Sequence, residues 1–154
     1  MKLPDKTGNT TGASNPQEKV PAASRSSGRV DELLKFAESL KGTKYRYGGT
    51  TPATGFDCSG YVCYVYKRFG IDLARSSASQ YKTNGTSVER ENLQPGDLVF
   101  FNTSGRGISH VGIYLGNDEF IHASSSKGGV KVNNLKEQYW NNRYVGAKRV
   151  LVAE

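Results

Sequence analysis

The hydrophobic period of this chain changes once, near Gln94-Pro95-Gly96, and that change restricts the fold more than any other feature. Before it, apolar residues recur at helical spacing. Val30, Leu33, Leu34, Ala37 and Leu40 share one helical face, with Asp31 and Glu32 in the first turn and Gly42 as the stop. A second helix is expected over residues 58–69, where Val62, Val65, Tyr66 and Phe69 share a face and Gly70 caps the end. A short third helix over residues 77–83 ends at Asn84-Gly85. Beyond the change the pattern is that of strands: an apolar run at 97–101, alternation at 109–115, a turn at Gly116-Asn117-Asp118 and a return at 119–123. Residues 130–132 and 144–151 complete the expected sheet, with a small helical segment near 135–141. Helices first and strands after is the order of an α+β domain, not of a βαβ repeat.

The 154 residues suit one domain whose core needs no covalent staples. Residues 1–28 stand apart. They are rich in Ser, Thr, Gly, Asn, Pro and Lys and hold almost no large apolar side chains, so they bury too little surface to offset chain entropy. They read as a flexible polar linker or tether, followed by one domain over residues 29–154.

Charge and hydropathy exclude some classes of function. The chain carries 21 Lys and Arg against 14 Asp and Glu, a net charge of +7. Five basic and two acidic residues fall in residues 1–29, which leaves residues 30–154 only mildly basic, with no basic helix or RNP-like motif. Nucleic acid is therefore not an expected partner. A mildly basic surface suits anionic polymers or lipid headgroups. No segment approaches 18 apolar residues, and the first ten residues have no apolar signal-peptide core. The sequence fits either a cytoplasmic protein or a mature chain that has lost an export signal.

The chemistry-bearing residues are few. Cys58 and Cys63 are the two cysteines, five positions apart in the second expected helix. Five residues turn a helix about 140° past a full turn, so the side chains diverge and a disulfide is not expected. The spacing fits no zinc pattern, and no metal site is expected. Cys63 reads as a small buried hydrophobe. Cys58 instead sits at the helix start, after Asp57 and before Ser59-Gly60, where unpaired N–H groups and the helix dipole favour a thiolate.

His110 and His122 are the two histidines, one on each arm of the expected hairpin. If Leu115 pairs with Glu119, His110 faces Ser124 and His122 faces Gly112. The imidazoles are then diagonal neighbours on one face, roughly 5–8 Å apart at Cβ. A thiol at a helix start beside two histidines supplies a nucleophile, a base and an orienter. The N–H groups of the helix start suit a developing oxyanion.

Six segments carry a further signal: YRYGG at 45–49, FDCSGYV at 56–62, ARSSASQY at 74–81, LQPGDLVFF at 93–101, SHVGIYLG at 109–116 and FIHAS at 120–124. Their order and spacing resemble the NlpC/P60 peptidoglycan peptidases, a branch of the papain-like cysteine peptidases, over residues 30–152. Among these the murein endopeptidase lipoproteins of Gram-negative bacteria are the most similar. The resemblance implies N-terminal helices packed on a central antiparallel sheet. It also implies a cysteine endopeptidase that cuts peptidoglycan stem peptides or cross-links without a cofactor, as a monomer. It implies Cys58 as nucleophile, His110 as base and His122 as third, polar member, with Tyr45 beside the nucleophile where its hydroxyl helps hold the oxyanion.

Asp57 and Ser59 flank the Cys, as in relatives where these positions contact the stem peptide. Asp57 also suits a helix N-cap, and Tyr45 a core aromatic. Arg75 and Ser76-Ser77 suit either a groove wall or the start of the third helix, and Gly48, Gly49 and Gly55 read as backbone turns near the site. Tyr61, Tyr64 and Trp140 read as packing or groove wall. The implied place is the bacterial envelope, in the periplasm or tethered to the outer membrane by residues 1–28, or outside the cell. The same fold and site also suit an amidase, an acyltransferase or an inactive wall-binding module.

Overall fold

The computed structural model describes residues 21–126 and 128–151. Contacts divide the chain into two units, with Leu33–Leu151 as the larger and Met1–Glu32 with Val152–Glu154 as the smaller. Of the smaller unit, residues 21–32 are described and are helical. The first helix, α1 (Pro21–Ser39), thus begins within the stretch read as linker, while residues 1–20 lie outside the described residues.

In the larger unit, α1 continues with Leu33 and Ala37 fully buried, and its chain stops at Gly42, whose φ of 89° suits glycine. A two-stranded ribbon follows, β1 (Thr50–Thr51) and β2 (Gly55–Phe56). Then come α2 (Cys58–Lys67), α3 (Ser77–Thr83) and β3 (Thr86–Val88). A single 3₁₀ turn, Arg90–Asn92, leads to β4 (Leu98–Phe101), β5 (His110–Gly116), β6 (Glu119–Ala123), β7 (Val130–Asn134), α4 (Gln138–Arg143) and β8 (Tyr144–Arg149). The expected α+β order holds. The ribbon and β3 were not expected: their strands are two or three residues long, too short for alternation to register.

The main sheet has six antiparallel strands in the order β3-β8-β4-β5-β6-β7. All four residues of β4 are buried, so both faces of the sheet are covered. On one face Val99, Phe101, Tyr114, Phe120, Leu135, Trp140 and Ala147 form a cluster. On the other, Tyr81 of α3 meets Phe100 edge-on at 5.2 Å, and the buried α2 residues Tyr61, Val62, Val65 and Tyr66 supply the cover. Tyr66 donates its hydroxyl to the Gly96 carbonyl and Tyr61 donates to that of Ala37 at 2.8 Å, so both buried phenols are satisfied. At one end of the sheet the buried Asp97 receives a two-pronged ion pair from Arg149, 2.9 Å at each oxygen.

The β5–β6 hairpin departs from the expected turn. Asn117 (φ 53°) and Asp118 (φ 65°) form a two-residue turn between Gly116 and Glu119, and Leu115 is bulged out of the ladder. The pairs Tyr114–Phe120 and Ile113–Ile121 keep the expected register, because the bulge absorbs the residue by which the turn is shorter. The strand expected to end at residue 132 runs to Asn134, and the segment expected near 135–141 is α4, three residues later.

Candidate active site

The site is built where α2 begins and where the β5–β6 ladder ends. Asp57 caps α2 by accepting the Gly60 N–H at 2.7 Å through Oδ1. Its Oδ2 accepts from the Gly48 N–H at 3.1 Å and from Arg75 at 3.0 Å. The Ser59 hydroxyl lies 3.4 Å from Oδ1 and receives the other arm of Arg75 at 2.8 Å. Arg75 therefore ties together both neighbours of Cys58, and its side chain is 49% exposed at the rim. Ser76 is the N-cap of α3, accepting the Ser79 N–H.

The start of α2 is pressed against the loop before β1. A Cβ on Gly60 would lie 2.1 Å from the Gly49 carbonyl oxygen, and one on Gly49 would lie 2.2 Å from that of Gly55. Two backbones meet there with no room for a side chain.

The Cys58 sulfur lies 3.8 Å from the Ser109 carbonyl, and the Val111 N–H is directed at it. The thiol thus touches the backbone on both sides of His110. Tyr45, held by a bridge to Phe56, is close enough to sense it: burial raises the Tyr45 hydroxyl above its ordinary value, and Cys58 and Asp57 add to the effect.

The β5–β6 ladder runs from Gly116–Glu119 to Ile113–Ile121. Beyond it the histidines join the strands themselves, with His110 Nε2 and His122 Nδ1 2.7 Å apart and the rings nearly perpendicular. Gly112 leaves the space: a Cβ there would lie 3.1 Å from that of His122. His122 is fully buried and its Nε2 meets Asn133 Oδ1 at 2.8 Å. Trp140 of α4 covers both rings, at centroid distances of 5.3 Å to His110 and 5.0 Å to His122. Phe120 closes the other side of His122 at 4.7 Å.

Packing around the site disfavours the charged form of each group, although Cys58 and His110 keep part of their surface exposed. Burial pushes His110 down to about 3, with His122 adding to it, and pushes His122 down to about 4. Burial pushes the Cys58 thiol up to about 11; the N–H groups of Val111, Ser59 and Cys58 itself oppose this, and the Asp57 carboxylate reinforces it. The expectation that the helix start favours a thiolate is therefore corrected. Desolvation outweighs the helix start, and the carboxylate that caps the helix works against the thiolate. Each of the three groups, taken alone, thus favours its neutral form.

The remaining expectations separate cleanly. Both cysteines are free thiols. Cys63 is only partly buried and lies 3.3 Å from the Ala74 carbonyl, with the Gln80 amide 3.5 Å away. No cluster of three or more His, Cys, Asp or Glu suited to a metal occurs among the described residues, and no described helix is long and apolar enough to cross a membrane. Sequence reasoning did not find Asn133 or Glu137. Asn133 lies on β7 opposite Phe120, diagonal to His122, one residue past the expected end of that strand. A polar residue at that register is the signal that was available.

A partly buried Cys at a helix start and two hydrogen-bonded histidines on an antiparallel sheet make up the candidate site of this α+β domain. The family profile of NlpC/P60 matches residues 42–149, and the chain belongs to that family. It is 48% identical over 112 residues to the murein DD-endopeptidase MepS/murein LD-carboxypeptidase of Escherichia coli, covering 72% of this chain and 57% of the relative. With the murein DD-endopeptidase MepH of the same species it shares 45% over 113 residues, 71% of this chain and 42% of the relative. The gamma-DL-glutamyl hydrolase of Bacillus subtilis is 43% identical over 121 residues, 77% of this chain and 29% of the relative. The chain thus spans about a third to a little over half the length of these relatives. Among solved structures, an NlpC/P60 family protein from Bacillus cereus superposes with a TM-score of 0.74 at 36% identity, covering 80% of this chain and 40% of the other. The peptidoglycan hydrolase RipB of Mycobacterium tuberculosis gives 0.70 at 28% identity, covering 90% and 74%.

Proposed function

We propose that this chain is a cysteine endopeptidase that hydrolyses peptide bonds in the stem peptides or cross-links of bacterial peptidoglycan. The observation that carries the reading is the 2.7 Å contact between His110 and His122, with the Cys58 thiol against the backbone on both sides of His110. Kinship with murein endopeptidases gives the substrate class.

In the proposed reaction Cys58 loses its proton to His110 as the sulfur attacks the scissile carbonyl. Ionising either group alone is disfavoured by burial, but joint transfer creates an adjacent thiolate and imidazolium whose attraction offsets part of that burial. The Tyr45 hydroxyl and the N–H groups at the start of α2 stabilise the oxyanion. His110 then gives its proton to the leaving amine, and water hydrolyses the thioester. His122 keeps the His110 ring turned. Asp57 and Ser59 meet the stem peptide together with Arg75, which they hold at the rim. No metal or cofactor enters the reaction. The chain works as a monomer in the bacterial envelope or outside the cell, with the polar segment before the domain as its tether.

Digestion of purified muropeptides, read by mass spectrometry, tests this. New amino and carboxyl termini within the peptide are expected from the parent protein and not from His110→Ala. Intact muropeptides, or release of the whole stem from its sugar, would replace the endopeptidase reading with a binding module or an amidase.

A further inference from the structure

A histidine base works only if its proton sits on the correct nitrogen, and the two imidazoles alone do not decide this. His110 Nε2 and His122 Nδ1 share one hydrogen bond, and either can be the donor. The direction must be set from outside the pair, where His122 Nε2 meets Asn133. An amide can present either an acceptor or a donor, so Asn133 needs a reference of its own. That reference is Glu137, whose Oε1 lies 3.1 Å from Asn133 Nδ2. A carboxylate only accepts, so the NH₂ of Asn133 must face Glu137 and its oxygen must face His122.

We infer that Asn133 and Glu137 act together as a tautomer clamp for the two histidines. The inference rests on the reading of His110 as the base. With the Asn133 oxygen toward His122, Nε2 of His122 carries the proton and Nδ1 is left as an acceptor. His110 must then donate from Nε2, which leaves its Nδ1 as the lone pair that takes the thiol proton. Turning the Asn133 amide over would reverse every link and place the His110 proton on the nitrogen that must receive one. The chain of donors and acceptors therefore runs in one direction, from His110 through His122 and Asn133 to Glu137.

Glu137 is itself held. Its Oε2 accepts the Asn134 N–H at 3.1 Å, and its own N–H donates to the Asn134 carbonyl at 3.1 Å. It also occupies the N-cap position of α4, the helix that carries Trp140 over both rings. The turn between β7 and α4 thus sets both the proton direction and the roof. Asn133 and Glu137 touch no reacting atom in this scheme and are positioning residues.

The test uses the full chain, whose two histidines make side-chain nitrogen spectra simple to assign. At pH 7, ¹⁵N spectra of the free protein should show both rings protonated at Nε2 and bare at Nδ1. Asn133→Leu should yield mixed tautomers and lower kcat at least tenfold with KM little changed. Asn133→Asp alone would set a second carboxylate against Glu137 Oε1, so it is tested only together with Glu137→Gln, whose amide can donate to the new carboxylate. Glu137→Gln alone should lower kcat severalfold, and the double variant, which presents only acceptors to His122, should keep the tautomers and recover most of that loss. A parent spectrum with either ring protonated at Nδ1 overturns the clamp. So does an Asn133→Leu protein that keeps both tautomers, or a double variant no more active than Glu137→Gln alone. The spectra need no substrate, so a chain that proved to cut another polymer would leave this result standing.

Discussion

Gly60→Ala probes the contact that sets Cys58, the proposed nucleophile, in place. The added Cβ would lie 2.1 Å from the Gly49 carbonyl oxygen and 2.8 Å from Asp57 Oδ1, whereas ordinary contact begins at 3.4 Å. Relief by straight separation needs about 1.3 Å, the difference between the two distances. Neither neighbour yields cheaply. The Gly49 carbonyl accepts the Asp57 N–H at 3.1 Å, and Asp57 is the cap of α2. The first turn of α2 must therefore move, and Cys58 is in that turn. A misplacement on the order of 1 Å at a reacting group costs about 10²-fold in rate, and overpacking costs about 1–3 kcal/mol of stability. At about 2–4 °C per kcal/mol for a domain of this size, Tm should fall by about 2–12 °C. Gly70→Ala is the control. Its φ of 81° strains an alanine, yet nothing lies within 4 Å of the new Cβ. It should lose stability on the order of 1 kcal/mol and keep its activity. Turnover of a muropeptide and thermal unfolding followed by circular dichroism give both readouts. A Gly60→Ala protein within twofold of the parent in kcat/KM would refute the reasoning.

Three further outcomes are expected. Arg149→Ala leaves the buried Asp97 carboxylate without its ion pair and should cost about 3–5 kcal/mol in a urea melt. Tyr45→Phe should lower kcat by about 10²-fold if its hydroxyl is the proposed oxyanion donor, with the fold intact by circular dichroism. Stability should depend on pH in two windows. The histidines stay neutral in the fold, so the unfolded chain binds more protons below 6.5, and Tm should fall as pH drops from 6.5 toward 4. The Cys58 thiol stays protonated in the fold, so the unfolded chain loses its proton first, and Tm should fall as pH rises from 9 toward 11. His122→Gln removes one titrating group and should flatten the acid limb; an unchanged limb would show that the stability it reports lies elsewhere.

How much of this was legible in the sequence depends on the range over which each force acts. The helices and the hairpin register follow from periodicity, because burial of one face acts locally along an element. The bulge at Leu115 escaped because two turns, one a residue shorter, satisfy the same alternation. The N-cap role of Asp57 was readable from its place before the helix, but its tie to Arg75 was not, since the two lie 18 residues apart. The protonation state of Cys58 was misjudged for the same reason. A helix start is visible in sequence, whereas desolvation depends on everything packed around the sulfur. Asn133 and Glu137 matter through hydrogen bonds across strands and a turn, which carry no mark in composition.

The central claim is that Cys58 is the one nucleophile, and two variants with a single thiol each test it most directly. Digestion of purified peptidoglycan by Cys63→Ala, with Cys58 as its sole thiol, should release the same peptides as the parent at a similar rate. Cys58→Ala, with Cys63 as its sole thiol, should fold and release none. Peptide release by Cys58→Ala, or a folded but inactive Cys63→Ala, would contradict the account.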